Sequence, residues 1–413
     1  MAMRRSPLLP IFLIVLVDVF GLTLVLPLLA IYAETLHASP LQATLLQSVY
    51  AGCGLISAPI LGKVSDRIGR KPMLLVSQVG TCIGFLIMAR AGSLWVLYLA
   101  RVIDGSTAGN LSLAQAYISD NTPAERRSRA FGLIGIAFGL GFFVGPAITG
   151  YLANYTLSAP IYVAAALSFT SILCTLTLLP WGAPPKEPAV AGAPGPGGQR
   201  LGIFNWGSYA EFFKRPVLAG LLIQFFFYQY AFSTFTSGFA LFAERRFSHP
   251  GHPFGVRQVG FLFAYVGLLG IILQGGLIGR MTRKWGEPAL VAAGFVTMIV
   301  GYFFLGLAGG VVALVVLATF TSFGNAVIRP VLTSLVTQRG GRHEQGVILG
   351  LTGSLASIAM VVAPIISGLL IQKGQLMAWA WVASLGAGLG LCVARWGSSR
   401  ALPPESAVPK AVA

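Results

Sequence analysis

Apolar residues run almost unbroken for about 20 positions at a time, the length that crosses a bilayer as an α-helix. Twelve such runs follow one another, at 8–33, 41–62, 72–91, 94–117, 128–153, 158–181, 215–243, 256–279, 288–309, 311–336, 345–372 and 374–397. They are continuously apolar rather than alternating, which excludes a membrane β-barrel. The pattern predicts an all-α integral membrane protein with twelve transmembrane helices. Arg4 and Arg5 precede the first run as they would in a secretory signal, but the run is too long for one and contains Asp18, so it counts as a span.

The pattern breaks once at length. Residues 183–200 (APPKEPAVAGAPGPGGQR) are too rich in Pro, Gly and Ala to build a core, and 203–214 (IFNWGSYAEFFK) mix aromatic and charged residues as a short interfacial helix does. The chain then divides into an N-terminal six-helix bundle (1–181), a linker with an interfacial helix (182–214), a C-terminal six-helix bundle (215–397) and a tail (398–413). A shift of about 218 residues brings the halves into register. Gly62, Lys63, Arg67 and Gly69 fall on Gly279, Arg280, Lys284 and Gly286; Gly145-Pro146 and Gly150 fall on Ala363-Pro364 and Gly368. Agreement at two distant places argues for duplication, and two related bundles around a midplane site is the plan of a secondary transporter.

Composition sharpens this. Only 10% of the 413 residues are charged against 55% hydrophobic, whereas soluble domains carry about 25% charge. The net charge of +16 suggests a nucleic-acid binder until the basic residues are placed. Of the 28 Lys and Arg, 21 fall in segments on the same side as the termini, five fall on the other side, and Arg101 and Arg329 lie within spans. That bias predicts a multi-pass protein of the cell inner membrane with both termini cytoplasmic.

Charges inside the spans need another reason. Asp18 and Asp104 each lie ten residues into a span, about 15 Å deep. A charged Asp there costs about 2.5–3.5 kcal/mol, and burial favours its protonated form, so such a group can alternate between neutral and ionised. Arg101 is three residues from Asp104 on one helix, close enough to pair, and it is equally able to reach across to Asp18; the sequence leaves both arrangements open. A purely structural pairing of Asp18 with Arg101 or Arg329 is the competing reading. Arg329 either lines a cavity or extends to the interface. Gln224, Tyr228 and Gln229 sit in an aromatic stretch of span seven, which serves as a pocket wall or an interfacial belt. Gln47, Tyr50, Asn110, Gln115, Gln274 and Asn325 complete the polar candidates for a substrate cavity. Neither G-x-x-x-x-G-K-S/T nor H-E-x-x-H occurs, so no ATP site, metal, cofactor or enzyme chemistry is expected.

Three motifs carry a family resemblance over essentially the whole chain. Residues 62–71 (GKVSDRIGRK) match G-x-x-x-D-R-x-G-R-K/R between spans two and three, Arg101 and Gly105 match in span four, and Gly141, Gly145, Pro146 and Gly150 match the antiporter motif of span five. The chain resembles the major facilitator superfamily, and within it the twelve-span drug:proton antiporters, the group that contains the tetracycline exporters. Asp18, Gly21 and Pro27, and Ile118-Ser119-Asp120 with Arg127 and Phe131-Gly132, follow that group; Asp104 stands where its relatives generally have an uncharged residue. The resemblance implies proton coupling through Asp18, Arg101 and Asp104. It also implies a gating motif of Gly62, Asp66, Arg67, Gly69, Arg70, Lys71, Asp120 and Arg127, in which Asp66 meets the start of span eleven and Arg70 pairs with Asp120. The expected function is proton-coupled export of a small, largely apolar, drug-like compound by alternating access. Expected partners are that substrate, protons and membrane lipids, without nucleic acid, and the expected state is a monomer. A facilitator or proton symporter of a metabolite or organic anion is the alternative, and a non-transporting receptor or lipid-handling protein is a third.

Overall fold

The computed structural model describes residues 8–121, 124–179, 181, 211–249, 253–339 and 345–398. Nearly all of them are helical, as buried backbone in lipid requires, because each N–H and C=O must be satisfied within its own segment. Nine of the twelve expected runs are single helices that begin or end beyond the apolar stretch or match it closely: α3 (Pro40–Ile68), α4 (Arg70–Ala89), α7 (Ala124–Leu152), α8 (Ala159–Leu178), α9 (Pro216–Phe247), α12 (Glu287–Leu305), α13 (Val311–Arg339), α14 (Gln345–Gln372) and α15 (Leu376–Ser398). The charged ends of α3, α9 and α13 carry these helices past the hydrocarbon.

Three spans are not uniform α-helices, which corrects the expectation of unbroken runs. Span one is α1 (Leu8–Val25) and α2 (Leu29–Thr35), bent by 43° where Pro27 withholds a backbone donor. Span four is α5 (Leu94–Ser106) and α6 (Asn110–Asn121), interrupted at Thr107-Ala108-Gly109. Span eight is α10 (Val256–Ile272) and α11 (Ile278–Trp285) joined by a π-helical turn, Leu273–Leu277. Among the described residues, ten helical segments are individually long and apolar enough to cross a membrane, with the continuous Val256–Trp285 of span eight counted as one, and the bent pair α1/α2 makes eleven. Span four is the twelfth, each of its halves being too short alone.

The two halves pack by one scheme. In the first, span one packs on spans five and six, span three on four and six, and span two on four. In the second, span seven packs on eleven and twelve, span nine on ten and twelve, and span eight on ten. Every pair recurs six spans later. The tight turns repeat too: Gly69 and Gly286 both have positive φ, 103° and 79°, between one helix and the next, a conformation that disfavours any side chain.

The halves meet along two seams, span two against eleven and span five against eight. Both are tight at the end opposite the termini. A methyl group added to Gly260 would stand 2.9 Å from the Gly150 Cα, and one added to Gly368 would stand 2.6 Å from the Leu41 Cα. Ser48 donates to the Val361 carbonyl across the first seam at 2.8 Å, and Arg245 pairs with Glu34 at 2.5 Å, joining span seven to span one. Toward the basic end the same helices separate. Methyl groups on Gly62, Gly135, Gly275, Gly279 or Gly353 would meet nothing within 4 Å among the described residues. The molecule is shut at the far end and open at the basic end.

This contrast makes a direct prediction. Gly260→Ala forces backbone against backbone and should cost the far-end-closed form about 1–3 kcal/mol. Thiol labelling of a cysteine placed in the far half of the seam should rise correspondingly, whereas Gly270→Ala, which faces open space on the same helix, should leave it unchanged.

Candidate functional site

The break in span four builds the centre of the molecule. Residues 105–109 (Gly-Ser-Thr-Ala-Gly) contain two glycines with a serine and a threonine, all weaker helix formers than alanine, and Gly105 lies against the Tyr50 carbonyl and Cys53 Cβ of span two, leaving no room for a side chain. The carbonyls freed by the break find hydroxyls on adjacent spans. Ser57 Oγ donates to the Gly105 carbonyl at 2.8 Å, and Ser77 Oγ donates to the Thr107 carbonyl while accepting from the Gly109 N–H at 3.0 Å. Asp104 therefore sits in the last turn of α5, one turn from a helix end inside the bundle. No apolar-run count reveals this; the signal was the small-residue cluster at 105–109.

Arg101 and Asp104 are both 4% exposed and face each other, Arg101 Nη1 lying 3.5 Å from Asp104 Oδ2. The other Arg101 contacts are soft: Nη2 reaches the Met88 sulfur at 3.4 Å, the guanidinium lies 5.6 Å over the Tyr50 ring, and Nε is buried without a partner. Asp18 belongs to the same neighbourhood, for the charges of Asp18, Arg101 and Asp104 all act on Tyr50. Its carboxylate is not paired with either arginine. Oδ1 is buried with no hydrogen-bond partner, beside Gln78 and Ser171, which bond each other at 2.7 Å. The ambiguity left by the sequence is thereby resolved for this conformation: Arg101 takes Asp104, and Asp18 is left over.

A cavity opens between the halves at this level. Gln47, Tyr50 and Arg101 line it from the first half, with Leu22 and Leu26 at the kink of span one, and Thr236 and Met360 face them from the second. Asn110 lies just beyond the break, with a buried Oδ1 that has no partner, and Gln115 is half-buried one turn further on. The second-half candidates are more dispersed. Gln224, Tyr228 and Gln229 are buried in α9, Asn325 donates to the Tyr302 hydroxyl at 3.4 Å, and Gln274 in the π-turn donates to the Ala326 carbonyl at 3.4 Å. Arg329 is exposed, and its guanidinium lies 5.0 Å over the Phe138 ring of span five, in the opposite half.

At the basic end, Arg70 is the hub of the loop between spans two and three. It bonds Asp66 at 2.6 Å, Asp120 below span four at 2.7 Å, and Ser65 Oγ at 2.5 Å. Gly62 supplies a carbonyl at 3.4 Å, Gly69 the positive-φ turn, and Arg67 is exposed. Lys71 turns away from this group: it is buried, donates to the carbonyls of Leu176 and Leu179, and lies 4.1 Å over Trp181, so its charge caps the C-terminus of α8. The start of span eleven expected to meet Asp66 borders residues 340–344, which lie outside the described residues, as does the side chain of Arg127. In the second-half copy the Glu287 carboxylate accepts from Ser334 at 2.9 Å and from Gln338 at 3.3 Å, so uncharged donors stand where the first half has an ion pair. Along span five, Gly141 and Gly145 admit Val19 and Thr23 of span one, whose hydroxyl donates to the Gly141 carbonyl at 2.9 Å. A methyl group on Gly260 would stand 2.5 Å from the Pro146 carbonyl oxygen, and Gly150 meets span eight.

The sequence matches the Major Facilitator Superfamily over residues 11–287 and 254–412. The class B tetracycline resistance protein of Escherichia coli is 30% identical over 380 residues, 90% of each chain. Multidrug resistance protein 2 of Bacillus subtilis is 23% identical over 87% of this chain and 88% of its own. Among solved structures, the human organic anion transporter superimposes with a TM-score of 0.70 at 22% identity, covering 95% of this chain and 100% of that one, and so shares its fold.

Proposed function

Because the chain belongs to the major facilitator superfamily, a family of multi-pass membrane transporters, we propose that it exports a small, largely apolar organic compound in exchange for protons. The observation that carries this reading is Asp18: a midplane carboxylate with a buried, unpartnered oxygen, beside an arginine already engaged by Asp104. An acid with no permanent counter-charge is poised to take and release a proton. Arg101 and Asp104 hold the neighbouring charge balance, and the opening between the halves admits the substrate. The relatives named for tetracycline and multidrug resistance favour a drug-like substrate, and tetracycline is the natural first probe.

In this reading the basic end is cytoplasmic, both termini lie there, the membrane is the cell inner membrane, and the protein works as a monomer. The two bundles, 1–181 and 215–397, rock about the central site, with 182–214 as their tether and 398–413 as a tail. The conformation described is then inward-open. Its far-end contacts, Glu34–Arg245 and Gly150–Gly260, break in the opposite state, and Asp66 then meets the start of span eleven; the Arg70–Asp120 pair is already formed with the basic end open, so it braces the loop in both states rather than closing that side. The glycines of span five let the helices slide at close range during that exchange.

Energised everted membrane vesicles containing the protein should accumulate tetracycline above vesicles without it, and a protonophore should discharge the difference. Equal accumulation in both preparations, or accumulation indifferent to the protonophore, counts against the proposal.

A further inference from the structure

Arg329, like Asp18, is an ionisable group within a span whose charge no ion pair balances among the described residues. It lies on α13 well inside the span, followed by Pro330, and both residues are exposed to the opening between the halves. No ion pair reaches it among the described residues. Glu287, which packs on the same helix, is engaged by Ser334 and Gln338. An arginine that merely extends to the interface points along its own helix toward water. This one instead crosses the seam and places its guanidinium over Phe138 of the other half, 5.0 Å from the ring.

The surroundings are aromatic from both sides. Phe142, one turn from Phe138 on span five, meets Phe232 of span seven edge-on at 6.4 Å, and Phe232 stacks on Tyr228 at 6.2 Å with an interplanar angle of 11°. The Arg329 charge also reaches Tyr228. A guanidinium lying over one ring, with further aromatic pairs along spans five and seven, is suited to one kind of guest. The rings accept a flat conjugated body, and the fork of N–H donors accepts a carboxylate, sulfonate or enolate held in the plane of that body.

Resting on the export reading above, we propose that the transported compound is a planar organic anion, with its ring system against Phe138 and its anionic group on Arg329. The site is shared between halves, so the guest is held fully only while the seam is open at the basic end; closing that end moves span five relative to span ten and dismantles the clamp. Asp18, in the first half, is then free to answer to its proton rather than to the substrate's charge.

The test is equilibrium binding of 2-naphthoate and its uncharged analogue 2-naphthamide to the full-length detergent-solubilised protein, with no pH gradient. The wild type should prefer the anion by about tenfold, the scale of a charge-assisted hydrogen bond. Arg329→Gln should erase that preference while leaving the amide's affinity in place, Arg329→Lys should keep part of it, and Phe138→Leu should weaken both ligands together. Equal affinities in the wild type, no naphthoate binding at all, a preference that survives Arg329→Gln, or naphthoate binding unaffected by Phe138→Leu would each overturn the proposal. Failure of the export reading is distinguishable, because it would show as lost uphill transport in vesicles with this binding preference intact.

Discussion

Asp18→Asn is expected to abolish pH-gradient-driven accumulation of substrate, by about a hundredfold or more, the scale of losing an essential proton-transfer group. Asn keeps the size and polarity of Asp and still fits beside Gln78 and Ser171. What it lacks is a second protonation state. No arginine or lysine pairs with the carboxylate among the described residues, Oδ1 has no hydrogen-bond partner, and the adjacent Gln78 and Ser171 are neutral groups that can bond an amide as well as a carboxylate. Binding and substrate–substrate counterflow should therefore survive the replacement, since neither needs a net proton. Undiminished uphill transport by the variant would remove Asp18 from the mechanism; loss of counterflow as well would make it a structural residue.

Replacement of Arg101 by Leu should be the most damaging change to stability among the charged residues. It strands Asp104, 4% exposed, without its counter-ion, and breaking a buried pair from one side costs about 3–5 kcal/mol. The melting temperature of the purified protein should fall sharply. The double variant Arg101→Leu with Asp104→Leu removes both charges and should recover most of the stability, because apolar pairs of similar size replace buried ion pairs at little cost. Transport separates a packing role from a coupling role. If the pair only holds spans together, the double variant transports; if Arg101 participates in proton coupling, it folds and stays inactive.

Much of the fold was legible in the sequence because lipid leaves few choices. A run of about 20 apolar residues must be a helix, and repetition of Gly62 and Gly69 at Gly279 and Gly286 announced two copies of one bundle. The site was legible in part for a related reason: an acid such as Asp18 is conspicuous against an apolar run. Where spans bend or stop was not. Pro27 was visible, but a proline in a membrane helix does not by itself break it, and the interruption at Thr107-Ala108-Gly109 depends on Ser57 and Ser77 of other spans supplying the missing bonds. The partner of Arg101 was undecidable because two acids lie within reach, and only packing chooses between them. The meeting of Arg329 with Phe138 and of Arg245 with Glu34 joins opposite halves, and no local pattern encodes a contact across some two hundred residues.

Exchange of substrate for protons is the centre of this account, and both fluxes are measurable together. Proteoliposomes loaded with a pH-sensitive dye and given an imposed pH gradient should move tetracycline against its own gradient as protons run the other way. Each flux should require the other, and both should stop with Asp18→Asn. Protons crossing without regard to tetracycline, or protons and tetracycline moving in the same direction, would contradict it.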